Sequence, residues 1–171
     1  MGVQIPPPTP FYFLPPVEVS EVGSAVDKVY TSVHVVTYSY RGKISGITVA
    51  WATRVSWDPV VVAVSVGRGK HSREALDSVD RFLVCTMGEK GRTVAMRFGT
   101  LSGRDADKFE GVAYSLSEGG LPVPEGSISY LECRKIGSFE AGDHVVYLGL
   151  VEGSRVIEDA PPLLFGEGRV L

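Results

Sequence analysis

The chain has 171 residues, of which 44% are hydrophobic and 22% charged, and its formal net charge is −3 at pH 7. This length fits a single domain with a substantial core. The weak negative charge argues against a nucleic-acid partner, which usually requires a concentrated basic face. No apolar run approaches the roughly 18 residues of a transmembrane helix, so the sequence predicts no membrane association.

The first sixteen residues, MGVQIPPPTPFYFLPP, are rich in proline and apolar side chains. They lack the charged start and long apolar centre of a signal peptide. We interpret residues 1–16 as an extended proline-rich arm. Residues 17–171 contain no segment that resembles a linker, and we assign them to one domain.

Runs of β-branched and aromatic residues predict strands along most of the chain. Tyr30–Tyr40 and Gly46–Ala52 flank a turn and predict a hairpin. The continuously apolar run Val60–Val66 is typical of a central strand that is buried on both faces. Further strands are predicted at Arg81–Thr86, Ser127–Ile136, His144–Val151 and Pro162–Phe165.

Helical signals are few and short. Ser72 is a suitable N-cap for a helix that carries Glu74 in its first turn, and Arg92–Gly99 ends on glycine as helices often do. Asp105–Phe109 predicts one further turn. The fold class is therefore mostly β, with strands spaced as in a closed or nearly closed antiparallel barrel and a few short helices.

Two cysteines, Cys85 and Cys133, lie in apolar strand-like runs. Neither belongs to a CxxC pair or to a Cys/His set with metal-ligand spacing, so no metal site is predicted. Buried reduced thiols are typical of proteins in a reducing compartment, which predicts a cytoplasmic location.

The segment VSVGRGKHSREAL, Val64 to Leu76, places two glycines and two bases before a predicted helix. It matches neither the phosphate-binding loop GxxxxGK[ST] nor the dinucleotide fingerprint GxGxxG. Helix N-termini nevertheless attract anions through unpaired backbone N–H groups. Arg68, Lys70 and Ser72 are therefore candidate phosphate contacts, the alternative being a solvated turn and a helix cap.

The segment GITVAWATRVSWDPVVVAVSVGRGKHSREAL resembles the flavin reductase-like family of FMN-binding split barrels. Three later pieces also match, in the family's order: FGTLSGRDADKF, AGDHVVYLGLV and PLLFGEGRV. Together the matches cover roughly residues 46–170. Val60 replaces the second proline of the family's Asp-Pro-Pro element. The resemblance implies an FMN-binding split β-barrel, a Greek-key-like antiparallel barrel with a few short helices.

The resemblance implies that the flavin lies along the segment after the second barrel strand, where small residues let the backbone approach the ring. That segment is Trp51, Ala52, Thr53, Arg54, Val55 and Ser56. For Trp51 the alternative is an ordinary core aromatic. Ser45 stands where relatives often carry an asparagine near the flavin.

The resemblance also implies that the loop with Arg68, Lys70 and Ser72 holds the flavin phosphate. Lys108 matches a lysine that reaches the flavin, although it could instead be a solvated lysine paired with a nearby aspartate. His144 of the GDH piece matches a histidine beside the isoalloxazine ring, and we name it the candidate catalytic residue. Phe165 either lies over the ring or closes the core.

Two histidines stand outside these matches. His34 lies among valines and is interpreted as structural, whereas His71 borders the basic loop and is left open. No nucleophile elbow occurs, so the sequence carries no hydrolase signature.

The function implied is a flavoprotein that binds FMN and accepts a hydride from NADH or NADPH at flavin N5. Free flavin, ferric iron or a redox protein would take the electrons onward. The alternatives are a flavoredoxin-type electron carrier reduced by a protein partner and a flavin-binding barrel with a structural or sensory role. The family further implies a homodimer with the flavin at the subunit interface.

Overall fold

The computed structural model of the chain describes residue 23 and residues 25–171. The predicted arm at residues 1–16 lies outside the described residues. Within them, no helix is long and apolar enough to cross a membrane.

The described part of the chain is built mainly of strands. Its strands are β1 (Thr31–Ser32), β2 (His34–Tyr40), β3 (Lys43–Val49), β4 (Ala52–Trp57), β5 (Val60–Gly67), β6 (Arg81–Met87), β7 (Tyr114–Leu116), β8 (Pro122–Pro124), β9 (Ser127–Ala141), β10 (His144–Val156), β11 (Leu164–Gly166) and β12 (Arg169–Val170). Its helices are α1 (Ser72–Ser78) and α2 (Arg92–Thr100), the second preceded by a 3-10 turn at Glu89–Gly91.

The main sheet has seven antiparallel strands in the order β3-β2-β6-β9-β10-β5-β4. Its two edge strands, β3 and β4, follow each other in the chain. The short connection between them is attached to β5 through the Ser65 amide, which donates to the Trp51 carbonyl at 2.9 Å. The sheet thus curls into a split barrel. Two small sheets, β1-β11-β12 and β7-β8, complete the described fold.

Two apolar cores lie on opposite sides of β2 and β6. Val36 and Tyr38 point into the barrel, which α1 closes with Leu76, while Val35 packs on the other side against Phe98 of α2. Because both faces of β2 are covered, four consecutive residues from Val35 to Tyr38 are buried, including the polar Thr37. This packing holds the ends of β3, β5 and β10 together at one end of the barrel.

The strand predictions for β2, β5 and β6 are confirmed. The strand predicted at Gly46–Ala52 lies three residues earlier, at Lys43–Val49, and the one predicted at Pro162–Phe165 is Leu164–Gly166. Strands β9 and β10 each continue five residues beyond their expected ends at Ile136 and Val151. Two helix predictions are wrong. Asp105–Phe109 forms turns instead of a helical turn. The N-cap of α1 is His71, so Ser72 is the first helical residue, and no side chain caps this end.

Both cysteines and His34 lie where the sequence indicates. Cys85 and Cys133 are buried free thiols, and burial raises the pKa of each to about 12. His34 Nδ1 lies 3.2 Å from the Thr86 hydroxyl, and burial lowers the pKa of its ring to about 4. His34 is therefore a neutral structural residue near pH 7.

Candidate functional site

A cavity of about 970 Å³ opens at the end of the barrel where β3, β5 and β10 meet. Its volume is at the upper end of the range typical of small-molecule sites. The walls are apolar strand residues and glycines, and the polar groups come from the loop after β5 and from the β9–β10 turn. The lining comprises residues 47–51, residues 65–70, residues 142–144 and Phe165.

A smaller cavity of about 230 Å³ adjoins the first. The two share Ile47, Gly69 and Lys70 in their linings, so Lys70 stands at the junction. The smaller cavity is otherwise lined by the start of α1, the end of α2 and Lys108. The two together form one trough with an apolar, roomy end and a narrow, polar end.

The basic loop turns between β5 and α1. The Lys70 amide donates to the Gly67 carbonyl at 3.0 Å, and the helix begins two residues later. Ser72 is only 3% exposed and lines the smaller cavity. The loop thus brings Lys70 and Ser72 to the narrow end of the trough, although Ser72 does not cap the helix.

The two bases of this loop have different environments. Arg68 Nη1 donates to the Gly142 carbonyl at 3.3 Å, and its Nη2 lies 3.2 Å from Glu140. Arg68 is thereby attached to the β9–β10 turn of its own chain. Among the described residues no hydrogen bond or ion pair engages the Lys70 ammonium, which leaves it as the cation available at the junction.

His144 starts β10 and faces the larger cavity from the opposite wall. Its Nδ1 lies 2.6 Å from Asp143 Oδ1, and its ring centroid lies 4.7 Å from that of Trp51 at an interplanar angle of 46°. The hydrogen bond with His144 lowers the pKa of the Asp143 carboxyl. Trp51 is 52% exposed, so the interpretation of this residue as an ordinary core aromatic is wrong.

The buried Tyr38 hydroxyl lies close to the hydroxyl groups of Ser72 and Ser45. Burial raises the pKa of Tyr38, and these two hydroxyl groups oppose the rise. Ser45 is thus near the trough, and its hydroxyl also lies beside Gly103, 3.4 Å from where a Cβ atom there would be.

Lys108 is almost completely buried, at 4% exposure. Its Nζ donates to the Gly46 carbonyl at 2.8 Å and to the Phe98 carbonyl at 3.0 Å. It therefore joins β3 to the end of α2 and is not a solvated partner of Asp105 or Asp107. Burial, and to a smaller extent the charge of Lys70, lowers the pKa of Lys108 to about 8.

The remaining predicted residues divide between the cavity wall and the sheet edge. Phe165 on β11 lines the larger cavity and packs against the core that contains Val35 and Phe98. The side chains of β4 lie along an edge strand outside both cavity linings: Ala52, Thr53, Arg54, Val55 and Ser56. The Arg54 guanidinium lies 3.2 Å from the centroid of the Trp57 ring.

Two residues near the site received no role from the sequence. Asp143 is the middle residue of the GDH piece, and its place directly before His144 was the available signal. His71 accepts a hydrogen bond from Arg104 Nε at 3.3 Å, a contact between distant loops that no local pattern reveals.

A planar aromatic ligand with an anionic tail fits this trough. The larger cavity offers apolar walls and aromatic rings at Trp51 and Phe165, and the narrow end offers the Lys70 ammonium and hydroxyl groups. Aromatic side chains favour stacking on flat rings, and ammonium groups favour phosphate. A split barrel with such a site defines a flavin-binding oxidoreductase.

The sequence matches a known protein family over most of its length. Residues 26–170 match the sequence model of the flavin reductase like domain, and the chain belongs to this family and is a flavin oxidoreductase. It is 34% identical over 127 residues to a flavin reductase of Pseudomonas putida, covering 74% of this chain and 73% of that protein. The reductase subunit HsaB of a flavin-dependent monooxygenase from Mycobacterium tuberculosis is 32% identical over 147 residues, covering 85% and 77%.

Among solved structures, the fold is similar to that of a Streptomyces globisporus NADH:FAD oxidoreductase in complex with NAD and FAD fragments. The TM-score is 0.81 at 27% sequence identity, covering 90% of this chain and 92% of that chain. The prediction of a flavin reductase-like split barrel is therefore confirmed.

Proposed function

We propose that this protein binds FMN in the trough and reduces it with NADH or NADPH. The observation that carries the proposal is the junction of the two cavities, where the Lys70 ammonium stands between the apolar end and the hydroxyl-lined end. The isoalloxazine ring would occupy the larger cavity between Trp51 and Phe165. The phosphate would lie at Lys70 and Ser72.

When bound, flavin supplies the redox chemistry by accepting a hydride at N5. The residues of this chain then bind the flavin, orient it and shield it from water. Lys70 supplies a charge-assisted contact to phosphate. Of the segment 51–56 only Trp51 lines the larger cavity, so the backbone at Trp51 would approach the polar edge of the ring. Ser45 and Lys108 maintain the floor of the trough. His144 faces the ring and the space where nicotinamide would stack.

FMN rather than FAD is the proposed ligand, although the structural relative above is named for FAD. One compact basic loop serves the narrow end, and the smaller cavity of about 230 Å³ suits a single phosphate better than an adenylate. Arg68 would act indirectly, by holding the β9–β10 turn, because its guanidinium is engaged by Gly142 and Glu140.

A titration of flavin fluorescence tests this placement. Lys70→Glu should weaken FMN binding by about 1–3 kcal/mol, because a charge-assisted hydrogen bond becomes a repulsion. Lys43→Glu is the matched control: it makes the same charge change on an exposed residue at the start of β3, outside both cavity linings. Equal FMN affinity in wild type and Lys70→Glu would refute the phosphate site.

We further propose a homodimer in which a second copy covers β4. The support is the row of exposed apolar side chains at this edge of the sheet, which a stable monomer would rarely leave open: Trp51, Val55, Trp57 and Val60.

Reduced flavin would pass to a monooxygenase, as the name of the Mycobacterium tuberculosis relative suggests, or to another acceptor. Two buried reduced thiols support a cytoplasmic location.

A further inference from the structure

The contact between Asp143 and His144 is short, and neighbouring residues hold both partners in place. His144 Nδ1 and Asp143 Oδ1 are 2.6 Å apart, although the aspartate side chain is 94% exposed and that of the histidine is 23% exposed. An exposed side chain usually gains little from an ion pair because water competes. The geometry must therefore come from the backbone that carries the aspartate.

That backbone is held by Arg68. The Arg68 amide donates to the Asp143 carbonyl at 2.9 Å, while its guanidinium donates to the Gly142 carbonyl. Glu140 pairs with the same guanidinium. The turn is thus attached to the loop after β5 through both the main chain and the side chain of one residue, which limits where the Asp143 carboxylate can lie.

The imidazole of His144 is restricted on its other sides. The Trp51 ring packs against it, and β10 pairs His144 with Gly67 across the sheet. A Cβ atom on Gly67 would lie 3.8 Å from His144 Nε2 and 3.5 Å from Lys70 Cγ. With Nδ1 on the aspartate, Nε2 is therefore the nitrogen that faces the cavity.

We propose that Asp143 is a positioning residue that fixes His144 in the Nδ1–H tautomer and so presents Nε2 to the cavity as a hydrogen-bond acceptor. A carboxylate accepts and does not donate, so the neutral ring must carry its proton on Nδ1 to keep this contact. Nε2 then suits an N–H donor on a bound ring, such as the imide of a flavin or the carboxamide of a nicotinamide. This inference rests on the proposed function for its ligand but not for its tautomer.

The charged groups of this end of the cavity and of the turn beside it come from three elements. Asp143 lies on the β9–β10 turn, Lys70 and Arg68 on the loop after β5, and Glu140 on β9. Of these, the structure gives only Asp143 a direct contact with the imidazole. Asp159→Asn removes one exposed carboxylate that lines neither cavity, and it therefore controls for a general change in electrostatics.

The test is ¹⁵N NMR of the imidazole rings in flavin-free protein, at a pH where the rings are neutral. The sequence has only three histidines, and His144→Ala assigns the signal. Wild type and Asp159→Asn should both show the Nδ1–H tautomer at His144. Asp143→Asn and Asp143→Ala should move the population towards Nε2–H, since the Asn amide can donate to Nδ1 and alanine accepts nothing.

A kinetic arm identifies the route of the effect. Asp143→Asn should slow flavin reduction about as much as His144→Ala does, and the double variant should be no slower than His144→Ala alone. For Asp143→Asn, FMN affinity and KM for NADH are measured separately. A change in FMN affinity assigns the contact of His144 Nε2 to the flavin, and a change in KM assigns it to the nicotinamide.

An Nε2–H tautomer in wild type, or an unchanged tautomer in both Asp143 variants, would overturn the inference whatever the kinetics. If NADH and NADPH fail to reduce the wild type while the NMR shifts occur, the positioning by Asp143 stands and only the proposed reaction fails.

Discussion

At the scale of single residues, Lys108 shows most clearly what the sequence leaves open. The resemblance implies a lysine that reaches the flavin, and the local pattern DADKF allows a solvated ion pair. In the structure Nζ instead donates to two backbone carbonyls, on β3 and at the end of α2. Those carbonyls are far apart in sequence, so no local pattern could identify them as partners.

The buried charge of Lys108 should make stability depend on pH. Its folded pKa of about 8 lies below the unfolded value of about 10.4. Between these values the unfolded chain binds a proton that the folded chain has released, so stability rises with pH. The difference in the free energy of unfolding between wild type and Lys108→Met should increase across this window, by on the order of 2–3 kcal/mol.

Urea denaturation of both proteins at several pH values measures this difference. Other groups titrate in both proteins and cancel. A difference that stays constant from neutral to alkaline pH would mean that Lys108 keeps an ordinary pKa and that its charge is not desolvated.

At the scale of elements, the sequence predicts the strands whose burial is strong and misses those whose burial is weak. The strands predicted at Val60–Val66 and Arg81–Thr86 are confirmed, and both are mostly apolar after an exposed first residue because each lies between two neighbouring strands. Strand β4 is an exposed edge with a bulge, so its residues alternate poorly. Strands β7 and β8 are short and contain prolines, and their pairing depends on tertiary packing.

For the site too, local features could be predicted from the sequence and contacts between distant segments could not. Local patterns placed His144 at a strand start and Lys70 in a loop before a helix, and both line the trough. The helix α1 begins one residue before the predicted start, so Ser72 is its first residue and not its cap, and Ser72 is buried. Contacts between loops, such as that of Arg68 with the β9–β10 turn, could not be read from the sequence.

One close approach between elements gives a sharp prediction. Gly126, between β8 and β9, has φ +80°, and a Cβ atom on it would lie 2.2 Å from Gly91 Cα. Gly111 has a similar φ of +73°, but a Cβ there would meet nothing within 4 Å. Gly111→Ala should cost about 1–2 kcal/mol from backbone strain alone. Gly126→Ala should cost at least about 2 kcal/mol more, because backbone must also move.

The midpoint of urea unfolding compares the two variants directly. Since the strain in φ is nearly matched, the difference reports the steric contact between the β8–β9 turn and the 3-10 turn. Equal losses of stability in Gly126→Ala and Gly111→Ala would show that these segments are not packed as described.

At the scale of the whole molecule, the uncovered β4 edge predicts self-association. Light scattering at micromolar concentration should give a dimer for wild type. Val55→Asp should shift it towards monomer and weaken FMN binding, because a carboxylate would be buried in the interface. Leu116→Asp, on the separate β7–β8 sheet, places the same charge at an exposed apolar position and should leave the dimer intact. A wild-type monomer with full FMN occupancy would rule out the dimeric site.

The most direct test of the central claim is anaerobic stopped-flow mixing of FMN-loaded protein with NADH and with NADPH. The visible absorbance of the flavin should bleach with at least one of them. His144→Ala should retain the fold and most FMN affinity but reduce the rate about 10-fold or more, equivalent to about 1.4 kcal/mol of transition-state stabilisation. A wild-type protein that binds FMN in the trough yet is reduced by neither nicotinamide would contradict the account and favour an electron carrier reduced by a protein partner.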